Sequence, residues 1–230
     1  MSRNLQAIVF DFDGVIANSE PLHFTAFKQA LDEDGIELTA ADYYAHYLGY
    51  DDVGVFQAIG RDCGLPMSAD RVAELVARKG DRLQALLAAG SVLFPGAAEF
   101  IRQAADAVPI AIASGALRHE IDEILDAAGI APLFKTIVAS GDTPESKPSP
   151  APYQLAFEQL RAETGEPLDP RRIVAIEDSR WGLESARGAG LRCVGVTNSY
   201  PARALEGAAE LIVEGLRTLT LDELDRLVAP

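Results

Sequence analysis

Cysteine is almost missing from this 230-residue chain: Cys63 and Cys193 stand far apart, with no Cys-x-x-Cys spacing. That argues against a disulfide framework and predicts buried, reduced thiols in a cytosolic (cytoplasmic) protein. Positive charge is also in short supply. With Lys and Arg numbering 20 against 35 Asp and Glu, the net charge is -15 at pH 7. Such a balance speaks against nucleic acid or an acidic membrane surface as a partner. It leaves anionic small molecules open, because a bound metal inverts the local field. No apolar run approaches the ~20 residues of a membrane span. A strand begins by residue 5, so no signal peptide is expected. Repeats and low-complexity segments are absent as well. What remains is an ordinary globular composition, 48% hydrophobic and 24% charged, long enough for one domain with a sizeable insertion. Nothing in the sequence sets an oligomeric state, and a monomer is compatible with it.

The stretch Ala7-Ile8-Val9-Phe10-Asp11-Phe12-Asp13-Gly14-Val15 reads as a buried strand ending in two carboxylates and a glycine. Strand alternation would send Asp11 and Asp13 to one side and Phe12 to the other. Residues 16 to about 91 then show only helical patterns. One helix opens at Ser19-Glu20-Pro21 and stops at Gly35. One or two shorter helices lie over 40–64, with a break near Gly49. A longer helix from Ser68 carries the stripe Val72, Leu75, Val76, Leu83, Leu86, Leu87 and closes at Gly90.

Beyond Pro95-Gly96 helices and short apolar strands alternate: helix 97–107, strand 109–113, helix 118–128, strand 136–139, helix 151–163, strand 173–176, helix 180–188, strand 193–196 and a sixth strand at 211–213. This rhythm predicts an α/β fold with a doubly wound, Rossmann-like parallel sheet. The core would comprise 1–16 and 92–230, and 17–91 would be an inserted all-helical cap.

Ligands of such sheets sit beyond the carboxyl ends of the strands, and there the chain gathers its chemistry. Strand one ends in Asp11 and Asp13, and strand two in Ser114-Gly115 before a helix start, a natural anion site. The segment after strand three carries Lys147 among prolines, and strand four ends in Glu177-Asp178-Ser179. Singly, each has a plainer reading, Ser114 or Asp178 as a helix N-cap and Lys147 as a solvated lysine. Together they place four carboxylates on one rim, where two unit charges ~4 Å apart repel by about 4 kcal/mol at an effective dielectric near 20. A divalent cation removes that cost, and oxygen ligands without His or Cys point to Mg²⁺.

These motifs resemble the haloacid dehalogenase-like hydrolase superfamily, and most closely its subgroup with a helical cap after the first motif. That subgroup includes β-phosphoglucomutase, phosphoglycolate phosphatase and sugar-phosphate phosphatases. The resemblance is carried by Asp11-Phe12-Asp13-Gly14-Val15, Ser114, Lys147-Pro148-Ser149-Pro150-Ala151-Pro152-Tyr153 and Glu177-Asp178-Ser179-Arg180-Trp181-Gly182-Leu183, in family order and spacing. It implies a nucleophilic Asp11 that becomes an aspartyl phosphate and an acid/base Asp13. It implies Mg²⁺ held by Asp11, the Asp13 carbonyl, Glu177 and Asp178, and phosphoryl oxygens held by Ser114 and Lys147. An acid/base Asp at position 13 favours phosphate esters over the carbon chemistry of dehalogenases. The function implied is a phosphomonoesterase of a small phosphorylated metabolite, a sugar phosphate or a phosphoglycolate-like acid.

Substrate-binding candidates are Gly115, Arg118, His23 and Lys79. Lys79 lies in the apolar stripe of its helix, where a lysine covering apolar surface is the alternative. His23 has packing or capping as its alternative, and Arg118 has solvation. The subgroup's mutases carry Gly-x-Ser-Arg in the cap, whose Arg grips a second phosphate. Here Gly49-Tyr50-Asp51-Asp52 would repel one, which favours a phosphatase over a β-phosphoglucomutase-like phosphomutase. A non-catalytic metabolite-binding module would have no need of the Asp11/Asp13 pair. The cap is expected to close over substrate and open for release.

Overall fold

The structure, a computed structural model, describes residues 3–47, 50, 52–87 and 92–229. The chain divides into two compact units, Met1–Asn18 with Ser91–Pro230, and Ser19–Gly90.

The first unit is built on six parallel strands: β1 (Ala7–Phe10), β2 (Ile110–Ala113), β3 (Phe134–Val138), β4 (Ile173–Glu177), β5 (Arg192–Val196) and β6 (Leu211–Val213). Their spatial order is β3-β2-β1-β4-β5-β6, and every neighbouring pair is parallel. β1, β2 and β4 are buried along their whole length, as befits central strands covered on both faces. Alternation divides those faces. Ala7 and Val9 join Ala111, Ala113, Tyr153, Leu160, Leu183 and Ala186 in one apolar cluster. Phe10, facing the other way, meets Phe100 and Phe134 edge-on, each at 6.2 Å between ring centroids.

Helices of the second unit come first in the chain: α1 (Glu20–Asp32), α2 (Ala40–Asp42) running into a π-helical turn at Tyr43–Tyr47, α3 (Asp52–Asp62) and α4 (Ala69–Leu87). Their core packs Phe27, Leu31, Phe56, Ile59, Val72 and Leu75, with Phe27 edge-on to Phe56 at 5.2 Å. The sheet's helices are α5 (Ala97–Ala107), α6 (Arg118–Ala127), α7 (Ala151–Thr164), α8 (Arg180–Gly188), α9 (Ala202–Leu205) and α10 (Leu221–Leu227). Of these, α7 and α8 pack on the sheet face that carries Val9. Gly49, Asp51 and Gly90, invoked above as breaks or loop residues, lie outside the described residues.

Two expectations need correction. β1 ends at Phe10, because the Phe12 carbonyl accepts from Ile16 and Ala17 N–H at 2.8 and 3.0 Å and closes a turn. Asp13 is therefore aimed by that turn and not by strand alternation. Cys193 is buried, but Cys63 is exposed at the end of its helix; both thiols are free. Among the described residues no helix is long and apolar enough to cross a membrane.

Candidate active site

The strand order reverses between β1 and β4, the position at which doubly wound sheets bind ligands. Phe10 pairs with Ile176, and the Asp11 N–H donates to the Ile176 carbonyl at 2.9 Å. One more step along each strand therefore brings Asp11 beside Glu177, with Asp178 next in chain. Asp11, Glu177 and Asp178 are all buried, and each offers a carboxylate oxygen within 4.8 Å of the other two. Asp13 lies close enough to Asp178 to raise its pKa.

Lys147 is the cation of this cluster. Its Nζ donates to Asp11 Oδ1 and to Glu177 Oε1, each at 2.6 Å, and lies 5.1 Å from the Tyr153 ring centroid. Its side chain is only 15% exposed, so the reading as a solvated lysine falls. The Tyr153 hydroxyl donates to the same Glu177 oxygen at 2.8 Å, and Ser179 Oγ donates to Glu177 Oε2 at 3.2 Å. Burial alone would lower the Lys147 ammonium, but Asp11 and Glu177 outweigh it and hold its pKa above the ordinary lysine value. Burial first, then Glu177, pushes the Asp11 carboxyl well above the usual range, against the pull of Lys147. Burial and Glu177 likewise push Asp178 up to about 7, and a Ser199 hydrogen bond works against that rise.

These donors fit a hard divalent cation. They are oxygen-only, and the three carboxylates against one ammonium leave two uncompensated negative charges in a buried site. Burial first, and then the neighbouring Glu177 charge, raises the Asp11 and Asp178 carboxyls, and a cation of charge two would offset both effects.

Two glycines make room for the carboxylates. A Cβ on Gly14, where φ is +77°, would lie 1.8 Å from Asp178 Oδ2. One on Gly182 would lie 1.9 Å from Glu177 Oε1. Ser114 is buried, and its Oγ accepts from the Ala116 N–H at 3.0 Å. It is not an N-cap, since α6 starts after Leu117 without a side-chain cap. Neither is Asp178, because Ser179 caps α8 by accepting from the Gly182 N–H. The space over Gly115 is open. Arg118 turns back onto its own surroundings: its Nε donates to Asp122 at 3.1 Å and its Nη1 to the Ile137 carbonyl at 3.1 Å. Tyr153 and Ser179, present in the sequence motifs without an assigned role, donate to Glu177 here, and Asn198 and Ser199 lie outside those motifs. For Tyr153 the signal was its position on the buried stripe of α7.

In the helical unit, His23 and Lys79 come together. Lys79 is 1% exposed, with its Nζ 3.0 Å from His23 Nδ1, 3.0 Å from Asp52 Oδ2 and 5.0 Å from the Phe27 ring centroid. A lysine merely snorkelling to water would not be buried in this way. Burial first, then the Lys79 charge, lowers the His23 pKa to about 3, so its ring is neutral and Nδ1 faces the ammonium with its lone pair. Nearby, the Tyr43 hydroxyl donates to Glu20 Oε1 at 2.5 Å.

A buried aspartate bonded to a buried lysine, within a cluster of three carboxylates, stands at the switch point of a doubly wound sheet. Comparison with known proteins gives the family. A haloacid dehalogenase-like hydrolase profile matches residues 5–190. Protein CbbY of Rhodobacter capsulatus is 33% identical over 203 residues, covering 85% of this chain and 87% of that protein. Phosphoglycolate phosphatase of Pectobacterium atrosepticum is 29% identical over 198 residues, covering 85% and 82%. CbbY from Rhodobacter sphaeroides, solved as a variant with xylulose-(1,5)-bisphosphate, superposes with a TM-score of 0.81 at 29% identity, covering 96% of this chain and 99% of that one. The chain belongs to the haloacid dehalogenase-like hydrolases and is an enzyme of that family.

Proposed function

We propose that the protein is a cytoplasmic Mg²⁺-dependent phosphomonoesterase of small phosphorylated metabolites, a sugar phosphate or a phosphoglycolate-like acid, acting through an aspartyl phosphate. The observation that carries this reading is Asp11 held at 2.6 Å by the buried Lys147 ammonium within the Asp11, Glu177, Asp178 cluster. Asp11 attacks phosphorus. Asp13 protonates the leaving oxygen and afterwards takes a proton from the attacking water. Ser114, the Gly115 N–H and Lys147 hold the phosphoryl oxygens, over which charge spreads in the transition state. Asp11, the Asp13 carbonyl, Glu177 and Asp178 would hold Mg²⁺, which supplies charge compensation for the phosphoryl group. Relatives whose names include phosphoglycolate phosphatase and phosphorylated carbohydrates phosphatase support the substrate class.

His23 and Lys79 are read as substrate-selecting groups, with Arg118 the weakest member of that set because of its bonds to Asp122 and Ile137. The stretch Gly49-Tyr50-Asp51-Asp52 carries carboxylates where the subgroup's mutases carry a cation, which supports hydrolysis over transfer. A phosphate-release screen with Mg²⁺ across sugar phosphates, xylulose bisphosphate, nucleotides and glycolate phosphate tests the reading. Asp11→Asn should abolish release from the best substrate while circular dichroism stays unchanged. Turnover retained in that variant refutes the mechanism, and conversion of β-glucose 1-phosphate to glucose 6-phosphate without free phosphate refutes the hydrolase.

A further inference from the structure

Asp13 lies past the end of β1, so no strand ladder holds the residue to which the acid/base role has been given. The turn that presents it is tied at Gly14 on both sides. The Gly14 N–H donates to the Ala17 carbonyl at 2.9 Å, and the Gly14 carbonyl accepts from Asn198 Nδ2 at 2.8 Å across 184 positions of chain. The neighbouring Ser199 reaches the same place. Its Oγ would lie 2.8 Å from a Cβ placed on Gly14, the same point that lies 1.8 Å from Asp178 Oδ2, so the hydroxyl sits beside the Asp178 carboxylate.

The turn after β5 that bears both residues is itself anchored. The Thr197 N–H donates to the Val213 carbonyl at 3.0 Å and carries the β5–β6 ladder one residue further. On its other side, Asn198 Oδ1 lies 3.4 Å from where a Cβ on Gly215 would be. Segments following β1, β4 and β5 thus meet at one glycine. A glycine at φ +77° is held only by what its backbone groups bond, and here one of the two bonds is a side chain from a different strand.

We infer that Asn198 and Ser199 are positioning residues, Asn198 fixing the turn that aims Asp13 and Ser199 fixing the orientation of Asp178. The part concerning Asp13 rests on the phosphomonoesterase reading above; the part concerning Asp178 rests only on its place in the acidic cluster. Neither residue touches reacting atoms. Each acts by keeping a carboxylate in its geometry, where small misplacements are expensive in rate.

The experiment compares Asn198→Ala, Asn198→Asp, Ser199→Ala and Ser199→Thr in the full chain. Two readouts are used, steady-state phosphate release and Mg²⁺ binding by calorimetry without substrate. Losing one hydrogen bond and stranding its partner should lower kcat of Asn198→Ala by roughly tenfold with KM unchanged. Asn198→Asp keeps the shape, deletes the donor and should do the same, so it decides the point if Asn198→Ala fails to fold. Ser199→Ala should weaken Mg²⁺ binding by roughly tenfold, and Ser199→Thr, which restores a hydroxyl, should recover it. A purely structural role would move the melting temperature without splitting kcat from KM and without rescue by threonine. Either of those outcomes, or a KM change at constant kcat, overturns the inference. If the wild type releases no phosphate from any ester, the phosphomonoesterase reading fails by itself. The calorimetric arm then still decides the role of Ser199, and unchanged Mg²⁺ affinity in Ser199→Ala overturns it.

Discussion

Protons and metal should compete for the same carboxylates, and the pH dependence of Mg²⁺ affinity measures that competition. Burial and Glu177 raise Asp178 from 3.8 to about 7, and Asp11 is raised well above its ordinary value by the same causes. For an acid raised on folding, the unfolded chain gives up its proton first. Metal-free stability is therefore whole below the unfolded pKa and falls as pH rises toward the folded value. A rise of about three units in Asp178 sets an order-of-magnitude ceiling near 4 kcal/mol on that loss. Mg²⁺ needs the ionised form, so below about pH 7 its binding must expel at least one proton.

The expected result is an association constant that falls about tenfold per pH unit between roughly pH 7 and 5.5, more steeply if Asp11 gives up a proton too. For Asp178 alone the curve should flatten above about pH 8. Calorimetry in two buffers of different ionisation enthalpy should show proton release on the acid side. Lys147, held above its ordinary value, stays an ammonium throughout and contributes no slope. His23, lowered to about 3, does not change charge between about pH 5.5 and 8 and contributes no slope there. Affinity independent of pH from about 5.5 to 8 would refute the argument that these carboxyls are raised and share one cation.

In the helical unit, Lys79→Met should cost about 3 kcal/mol in urea unfolding, because it strips a buried partner from Asp52 and His23; a loss under about 1 kcal/mol would mean the pair is solvated in practice. The lowered His23 pKa, about 3 against 6.5, makes the unfolded chain the better proton binder. Stability from this group is thus present above the unfolded value and lost as pH falls below it, by up to about 1.4 kcal/mol per unit. A ring titrating near its ordinary value by NMR would contradict this. Gly182→Ala gains about 1 kcal/mol of helix propensity, yet its Cβ would lie 1.9 Å from Glu177 Oε1. Overpacking should win, with a net loss of about 2 kcal/mol and weaker Mg²⁺ binding, and a raised melting temperature would refute it. Tyr153→Phe removes one donor from Glu177 and should cost about 1 kcal/mol while Lys147 keeps its place.

The sheet was legible because each central strand is an uninterrupted apolar run closed by a polar residue. Helix α5 and helix α8 begin and end where the sequence pattern places them, at Ala97–Ala107 and Arg180–Gly188. Boundaries were harder where no polar residue closes a run: β3 starts at Phe134 and not at Thr136, because Phe134 packs edge-on to Phe10, a contact between distant positions. The pleat argument for Asp13 missed because a turn closed by the Phe12 carbonyl is invisible to period-two reasoning. Lys79 was legible from its place in the stripe of α4, whereas its partner Asp52 was not, since that pairing joins two helices. Asn198 and Ser199 left no local signal at all. Their importance comes from a strand neighbour that only the β4–β5 pairing provides.

On the proposed reading Asp11 is asked for two incompatible things, to be buried beside two acids and to be ionised enough to attack. Lys147 answers part of that demand with two bonds of 2.6 Å, but one ammonium against three carboxylates leaves the balance negative. Burial and Glu177 accordingly push Asp11 toward its protonated form, in which it is a poor nucleophile. On the proposed reading the missing charge is the divalent cation, so cation binding and nucleophile ionisation are one linked event. Activity should then track the fraction of sites holding the cation, and adding acid should be compensated by adding Mg²⁺. A pH–rate profile whose acid limb shifts to lower pH as Mg²⁺ is raised is the direct consequence. An acid limb fixed at every Mg²⁺ concentration would place the controlling ionisation outside this cluster.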